Sequence, residues 1–337
     1  MGNLFKKAIV FTDLHLGLKG NSILHNEDCM NYLDWMIALG QKEKCDLCIF
    51  NGDFHHIRAA INVQTLKYSL SALERLSDAF PRTLFNTGNH DLYYRDKRDV
   101  HSVEWGKHID NIQLINDFYS EGDVTIVPWL VGEDVKKVKK LKTKYVFGHF
   151  ELPHFLMNSM ITMPDTGDIK RADLRGVEEV YSGHFHKRQQ GDNITYLGNA
   201  FPHDFSDAWD DERGAMILEW GEPPKFYNWE DCPKYRTFKY SDIKDKPEDL
   251  LLPNTYAQVT LDTDITYEEA NYIKETYVKD YKLRELRLIP GNEEEHVESF
   301  SGEIKFESVD NIVTSEILAI ESEHFDPNIL LEIYKSI

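Results

Sequence analysis

FTDLHLG (11–17), FNGDFHH (50–56), NTGNHD (86–91), VFGHFE (146–151) and YSGHFHK (181–187) share one grammar. An apolar β-branched or aromatic run is followed by Gly or a turn, and then by His, Asp or Asn. Buried strands that deliver polar groups from their C-terminal ends are built this way. Seven residues in these blocks, Asp13, His15, Asp53, Asn89, His149, His184 and His186, therefore read as one set of metal ligands. A single such residue is often a satisfied core group; seven in successive strand ends are not.

The set holds four His, two Asp and one Asn, with no Cys. Mixed imidazole and oxygen donors suit divalent ions such as Mn²⁺, whereas thiolates favour Zn²⁺ or Cu(I). Asp13-x-His15 puts both side chains on one face of an extended strand end, and His184-x-His186 repeats that spacing. Asp53, in a turn after Asn51-Gly52, is the natural shared carboxylate. A carboxylate bridging ions about 3.5–4 Å apart lets them clamp the attacking and leaving oxygens of a phosphoryl displacement.

Working outward, strands are expected at 8–13, 46–52, 83–88, 124–129, 144–149, 178–184, 194–199 and 215–220, with helices around 27–40 and 62–79. Leu66, Leu70, Leu73 and Leu76 form a stripe at three-to-four spacing that should face a sheet. Helices between the early strands imply parallel βαβ units, and shorter connections later imply antiparallel pairing. The expected class is α/β, two mixed sheets packed together with helices outside, over residues 1–225. A Pro-rich, aromatic junction (221–236) leads to a small α+β module over 226–290, with strands at 256–262 and 283–290 flanking a helix at 267–280. Residues 291–337 read as an acidic linker and two short amphipathic helices, the second starting at Asp326-Pro327.

The chain has 337 residues, 41% hydrophobic and 28% charged, which is the profile of a globular protein with ample core material. No apolar run reaches the roughly 18–20 residues that span a bilayer, so a cytoplasmic location is expected. Half of the net charge of −20 lies in 291–337, where twelve Asp/Glu face only Lys305 and Lys335. That balance disfavours a surface wholly devoted to nucleic acid without excluding a local site. Four cysteines are too few for a disulfide scaffold, and Cys45-x-x-Cys48 lacks a second pair, so Cys48 reads as a buried thiol.

DLH, GD, GNHD, GH and GHFH, in this order from residue 8 to about 220, resemble the calcineurin-like metallophosphoesterases. The resemblance implies a calcineurin-like four-layer sandwich. It places Asp13, His15 and His186 on one ion and Asn89, His149 and His184 on the other, with Asp53 bridging. His90 is then the group that stabilises or protonates the leaving oxygen, oriented by Asp91. GDFHH followed by Arg58, then TGNHDLYYR, VPWL, FGHFELPHF and YSGHFHKRQ, with a cap and an acidic tail, looks narrower still. It resembles the nuclease subunits of bacteriophage recombination complexes, relatives of SbcD-type repair nucleases. That implies a manganese-dependent nuclease (magnesium being the second choice), with 3′–5′ exonuclease action on double strands and endonuclease action on single strands. It also implies a homodimer, a tail docked on an ABC-type ATPase subunit, and the host cytoplasm for a phage-encoded chain. His56 falls on the second His of the GDxxH pattern and is a candidate substrate contact, its alternative being a packing histidine. Arg58, Tyr93, Tyr94 and Arg95 are candidate DNA contacts, the alternative for the tyrosines being a packed pair. The segment LGNAFPHDFSDAWDDERG (197–214) departs from the small-residue version of the cellular relatives, and His101, His108, His154 and His203 carry no motif.

Two other classes fit part of the pattern. A phosphomonoesterase or cyclic-nucleotide phosphodiesterase would use the same ligands on small esters. A non-catalytic scaffold would have lost ligands or His90, and this chain has lost none.

Overall fold

The computed structural model describes residues 2–158, 161–165 and 169–291. The elements β1 (Lys7–Phe11), β2 (Leu47–Asn51), β3 (Thr83–Asn86) and β4 (Ile112–Ile115) run parallel in one six-stranded sheet. A second six-stranded sheet contains β5 (Tyr119–Glu121), β6 (Val124–Val127), β7 (Tyr145–His149), β8 (Glu179–Gly183), β9 (Gln189–Gly191) and β10 (Ile194–Tyr196). The chain then returns to the first sheet, where β11 (Gly214–Glu219) lies antiparallel to β1 and β12 (Lys225–Asn228) antiparallel to β11. A separate three-stranded sheet follows, made of β13 (Lys234–Lys239), β14 (Thr255–Leu261) and β15 (Glu285–Pro290). Helix α1 (Ile23–Lys42) joins β1 to β2, α2 (Val63–Ala79) joins β2 to β3, and α3 (Tyr267–Asp280) joins β14 to β15.

Period-two alternation explains the layers. In β1, Ile9 and Phe11 enter a core shared with α1 and α2, while Ala8 and Val10 enter the core between the two sheets. Because both faces of β1 and β2 are covered, these strands are apolar throughout rather than alternating. A third core, with Val146, Phe150, Val180 and Tyr196, covers the outer face of the second sheet. The fold is thus the expected α/β sandwich of two mixed sheets with helices outside.

Some local expectations need correction. The later strands β6, β7, β8 and β10 pair parallel, not antiparallel. Their connections are long enough for parallel crossovers but consist mostly of loop and short helical turns, which hid them from periodicity. The buried face of α2 is Thr65, Ser69, Ala72, Leu73 and Leu76, and Leu70 is exposed. Ser69 turns inward because His55 hydrogen-bonds to its hydroxyl at 2.8 Å. The expected boundary at 225/226 cuts through β12, whose Phe226 and Tyr227 pack against different cores of the first sheet's body. The small sheet begins at Lys234 and has its own core of Phe238, Val259, Ile273 and Leu286.

Residues 1–289 form one compact unit. Arg284 of the small-sheet module reaches Asp28 on α1 through two bonds of 2.6 and 2.7 Å, and Tyr235 Oη donates to the carbonyl of His203 at 2.7 Å. All four cysteines are free and buried. No helix among the described residues is long and apolar enough to cross a membrane. The amphipathic helices expected beyond residue 300 lie outside the described residues.

Candidate metal centre

Parallel pairing aligns the carboxyl ends of β1, β2 and β3, and separately those of β7 and β8, with Asn51 opposite Asn86 and His149 opposite Gly183. Asn51 and Asn86 join the two sheets at that edge by donating to the carbonyls of Tyr181 and Val127, each at 2.9 Å. The residues that follow are bent sharply inward. Asp13, His15, Asp53 and His184 have φ of 52°, 51°, 62° and 89°, a left-handed conformation that side-chain-bearing residues seldom adopt. Such strain persists where surrounding bonds over-determine it. Here the amides of Leu14 and His15 both donate to the carbonyl of Asp53, at 3.0 and 3.1 Å, and Asp13 N donates to Gly52 O at 3.0 Å. Gly88 and Gly183 make room: a Cβ would stand 2.2 Å from Asp53 Oδ1 in the first case and 2.1 Å from Thr12 Oγ1 in the second.

On one side, Asn89 Oδ1 lies 3.1 Å from His149 Nε2 and 3.0 Å from His184 Nδ1, and His149 Nε2 lies 3.3 Å from Asp53 Oδ2. The other imidazole nitrogens are engaged, His149 Nδ1 with the Asn51 carbonyl at 2.9 Å and His184 Nε2 with Glu151 Oε1 at 3.4 Å. Each ring therefore turns its remaining nitrogen inward, the arrangement by which outer partners orient metal-binding histidines. On the other side, His15 Nε2 stands 3.8 Å from Asp13 Oδ1 and 3.6 Å from Asp53 Oδ2, buried and without a hydrogen-bond partner among the described residues. The His186 ring lies edge-on to His15 at 5.4 Å. The seven expected ligands thus lie in one cluster, with Asp13, His15, Asn89, His149 and His184 about Asp53 and His186 against His15.

Burial pushes Asp53 up, but His149, by charge and hydrogen bond, and His15 hold its carboxyl well below the usual range. Asp13 is raised by burial and by its neighbour Asp53. Two buried carboxylates side by side, an orphaned imidazole nitrogen and an inward-facing amide oxygen form a donor set that could hold divalent metal. Turned the other way, the Asn89 amide would donate to the same histidines and Asp53, and its oxygen would meet Arg58 Nη2 at 3.0 Å. No cysteine belongs to the set, which favours ions that accept mixed nitrogen and oxygen donors.

His90 is half-buried beside this centre. Its amide donates to Asp53 Oδ1 at 2.8 Å, its Nδ1 meets the His56 carbonyl at 2.7 Å, and its ring is perpendicular to that of His15 at 4.9 Å. The His56 carbonyl, not Asp91, orients it. Asp91 instead accepts four backbone amides: Phe54 and His55 at Oδ1, Asp53 and Gly88 at Oδ2, all between 2.9 and 3.1 Å. Burial and then repulsion from Asp53 push its carboxyl up to about 7, against those amides. The sharp turn at Asp53 leaves those amides facing inward, and a carboxylate is the acceptor that gathers them. The His56 ring stacks on His90 at 5.2 Å and 17°, which places it beside the centre. Tyr93 and Tyr94 are exposed and meet edge to face at 4.8 Å. Arg95 lines a cavity of about 280 Å³ together with Trp129, His149 and Glu151.

Three residues at the site went unnoticed in the sequence. Trp129 packs on His184 at 5.0 Å, and Glu151 engages that histidine's outer nitrogen. Both sit in quoted motifs, VPWL and FGHFE, so proximity to a ligand was the available signal. His203 is buried and perpendicular to His15 at 5.4 Å and 88°. It comes from the divergent 197–214 segment, and no local pattern marks it.

The family model described as calcineurin-like phosphoesterase matches residues 6–224. Exonuclease subunit 1 of Enterobacteria phage T4 is 26% identical over 228 residues, 63% of this chain, and the match spans 64% of that relative's length. Among solved structures, a nuclease MPE from Pseudomonas putida has 16% identity and a TM-score of 0.33, covering 62% of this chain and 82% of its own. A dimetal phosphatase from Danio rerio has 11% identity and a TM-score of 0.41, covering 66% and 95%. A phosphoesterase from E. coli has 10% identity and a TM-score of 0.30, covering 64% and 88%. The family match takes in every strand that feeds the centre, and the chain belongs to the calcineurin-like phosphoesterases.

Proposed function

We propose that this protein is a two-metal DNA nuclease, cutting duplex ends from 3′ to 5′ and single strands internally. The observation that carries the choice of DNA over a small ester is the rim of the centre. Arg58 stands beside Asn89, and the exposed Tyr93–Tyr94 pair is followed by Arg95 on the cavity that reaches His149. Cations that meet phosphates and aromatic faces that stack on bases are the usual means of holding a strand. The likeness to a phage exonuclease subunit supports the same substrate.

Asp13, His15 and His186 would hold one ion and Asn89, His149 and His184 the other, with Asp53 available to both. Mn²⁺, or Mg²⁺, would supply there the Lewis acidity that lowers the pKa of water and offsets negative charge on the phosphate oxygens. His90, fixed through Nδ1 by the His56 carbonyl, presents Nε2 to the leaving 3′-oxygen and supplies its proton. Asp91 holds the Asp53–His55 backbone, and therefore the shared carboxylate, in place. His56, stacked on His90, limits where the phosphate sits. The small sheet caps the DNA, the 291–337 tail docks on an ABC-type ATPase subunit, and two copies act together in the host cytoplasm.

The test is hydrolysis by the purified chain in Mn²⁺. End-labelled duplex and single-stranded circles should be cut, and an aryl phosphate monoester or a cyclic nucleotide should be poor substrates. Turnover of the small esters with intact DNA would overturn the proposal. Co-purification with a candidate ATPase should be lost when residues 300–337 are removed.

A further inference from the structure

We propose that His203 is an additional imidazole ligand of the ion held by Asp13, His15 and His186, an inference that rests on the two-ion centre. Its ligand nitrogen and those of His15 and His186 all lie within 4.8 Å of one another. Donors bound about 2.1 Å from one ion stand at most about 4.2 Å apart, and three of them on one ion closer still, roughly 3–3.6 Å, so an inward shift on the order of an ångström completes the set. The rings surround a common point. His203 is nearly perpendicular to both, at 5.4 Å and 88° from His15 and at 5.5 Å and 80° from His186.

The ring has nothing else to do. His203 is 1% exposed, and neither ring nitrogen has a hydrogen-bond partner among the described residues. A neutral imidazole carries one N–H and one lone pair, and buried polar groups of this kind are nearly always satisfied. His25, the other histidine against it, is already engaged through Nε2 with the His15 carbonyl at 3.0 Å. The backbone of His203, by contrast, is fixed from both sides. Its amide donates to Asp207 Oδ2 at 2.9 Å, and its carbonyl accepts from Tyr235 Oη at 2.7 Å. Asp207 is itself held by Asn199 and by Arg213, whose side chain is wholly buried. The divergent 197–214 loop thus delivers an unpaired imidazole to the metal edge on a rigid support.

The consequence is an asymmetric centre. One ion meets three imidazoles with two carboxylates, and the other meets two imidazoles, an amide and the shared carboxylate. Imidazole-rich sites favour later first-row ions over Mg²⁺, so the first site should discriminate more strongly against Mg²⁺ than the second.

The full chain, stripped and reloaded, provides the test. His203→Phe keeps an aromatic ring without a lone pair, and His203→Leu is the second variant without a donor. Calorimetric titration with Mn²⁺ should show one of two sites weakened at least about tenfold. The stripped variants should melt no lower than stripped wild type, with the stabilisation on loading reduced. In wild-type chain carrying isotope-labelled histidine, NMR should show direct cadmium coupling at a ring nitrogen of His203 as well as at His15, His149, His184 and His186. Coupling at those four alone, or variants that keep both affinities and lose only stability of the stripped form, would overturn the ligand role and leave the two-ion centre standing. Wild type that takes up no ion in excess Mn²⁺ would overturn both.

Discussion

The Nε2 atom of His149 lies 3.3 Å from Asp53 Oδ2 while its Nδ1 is held by the Asn51 carbonyl at 2.9 Å. A strand of the second sheet is thereby fixed to the turn after β2 in the first, with the pair aimed at a shared ligand position. Without ions, the buried carboxylates of Asp13 and Asp53 lie close together with histidines, a few hydrogen bonds and Arg58 to offset them, and His149 is raised to about 9 because Asp53 outweighs the burial that pushes it down. Ions should therefore stabilise the fold. At a free concentration about 100 times Kd, one site contributes about 2.7 kcal/mol, or a rise in Tm of roughly 5–10 °C for a domain of this size. Calorimetry of chelated and Mn²⁺-loaded protein measures it, and coincident transitions would contradict the centre.

His90 and Asp91 are neighbours with separable signatures. His90→Asn should lower the cleavage rate by roughly 10²–10⁴ and leave metal content and Tm near wild type, since the His90 side chain holds no ligand in place. Asp91→Ala strips the acceptor from four buried amides, so stability should fall by more than about 3 kcal/mol and metal affinity with it. Metal analysis alongside a duplex-end assay separates the two. Equal metal loss in both variants would show that His90 acts through the ligands and not on the substrate.

Gly88 is required by space. A Cβ there would stand 2.4 Å from Asp53 N and 2.2 Å from Asp53 Oδ1, a backbone and a ligand that cannot both retreat. Gly88→Ala should weaken Mn²⁺ binding by an order of magnitude or more while far-ultraviolet circular dichroism stays unchanged, because the strands themselves are untouched. Wild-type affinity in that variant would mean that the turn at Asp53 is softer than its hydrogen bonds imply.

The site was more legible in the sequence than the sheets were. Ligands follow continuous apolar strands, and that contrast survives translation into structure at β1, β2, β3, β7 and β8. The strands not expected, β4, β5, β9, β12 and β13, carry no ligand: β5 is Tyr-Ser-Glu and β9 Gln-Gln-Gly, short edge strands, while β4, β12 and β13 mix polar and apolar residues over four to six positions. Parallel pairing of β6, β7, β8 and β10 was hidden because the crossovers use loops and short turns instead of long helices. Asp91 was misread because its partners are backbone amides, which a sequence does not display. His203 reaches the centre only because Arg213, Asp207 and Tyr235 fold its loop inward, a relation spread over more than thirty residues.

Arg98 and Asp134 offer a pH-dependent prediction away from the ligands. Arg98 Nη1 donates to Asp134 Oδ2 at 2.5 Å and to the Trp129 carbonyl at 2.8 Å, so it clamps the segment following Tyr93–Arg95 onto the loop that carries Trp129. Burial pushes the Asp134 carboxyl up, but Arg98, Lys137 and the Val131 amide prevail and hold it below its usual value. A carboxyl that is more acidic in the folded chain stabilises the fold above its unfolded pKa of about 3.9, and that contribution fades as pH falls through the folded value. Asp134→Asn should therefore lose up to about 1.5–3 kcal/mol at pH near 7, the range for a hydrogen bond to a charged group. The gap to wild type should narrow steadily below pH of about 4. Urea denaturation of both proteins across that range measures it. A gap that stays constant down to strongly acidic pH would mean that the pair contributes through shape alone, and the loop bearing Trp129 would then owe its position to packing rather than to the ion pair.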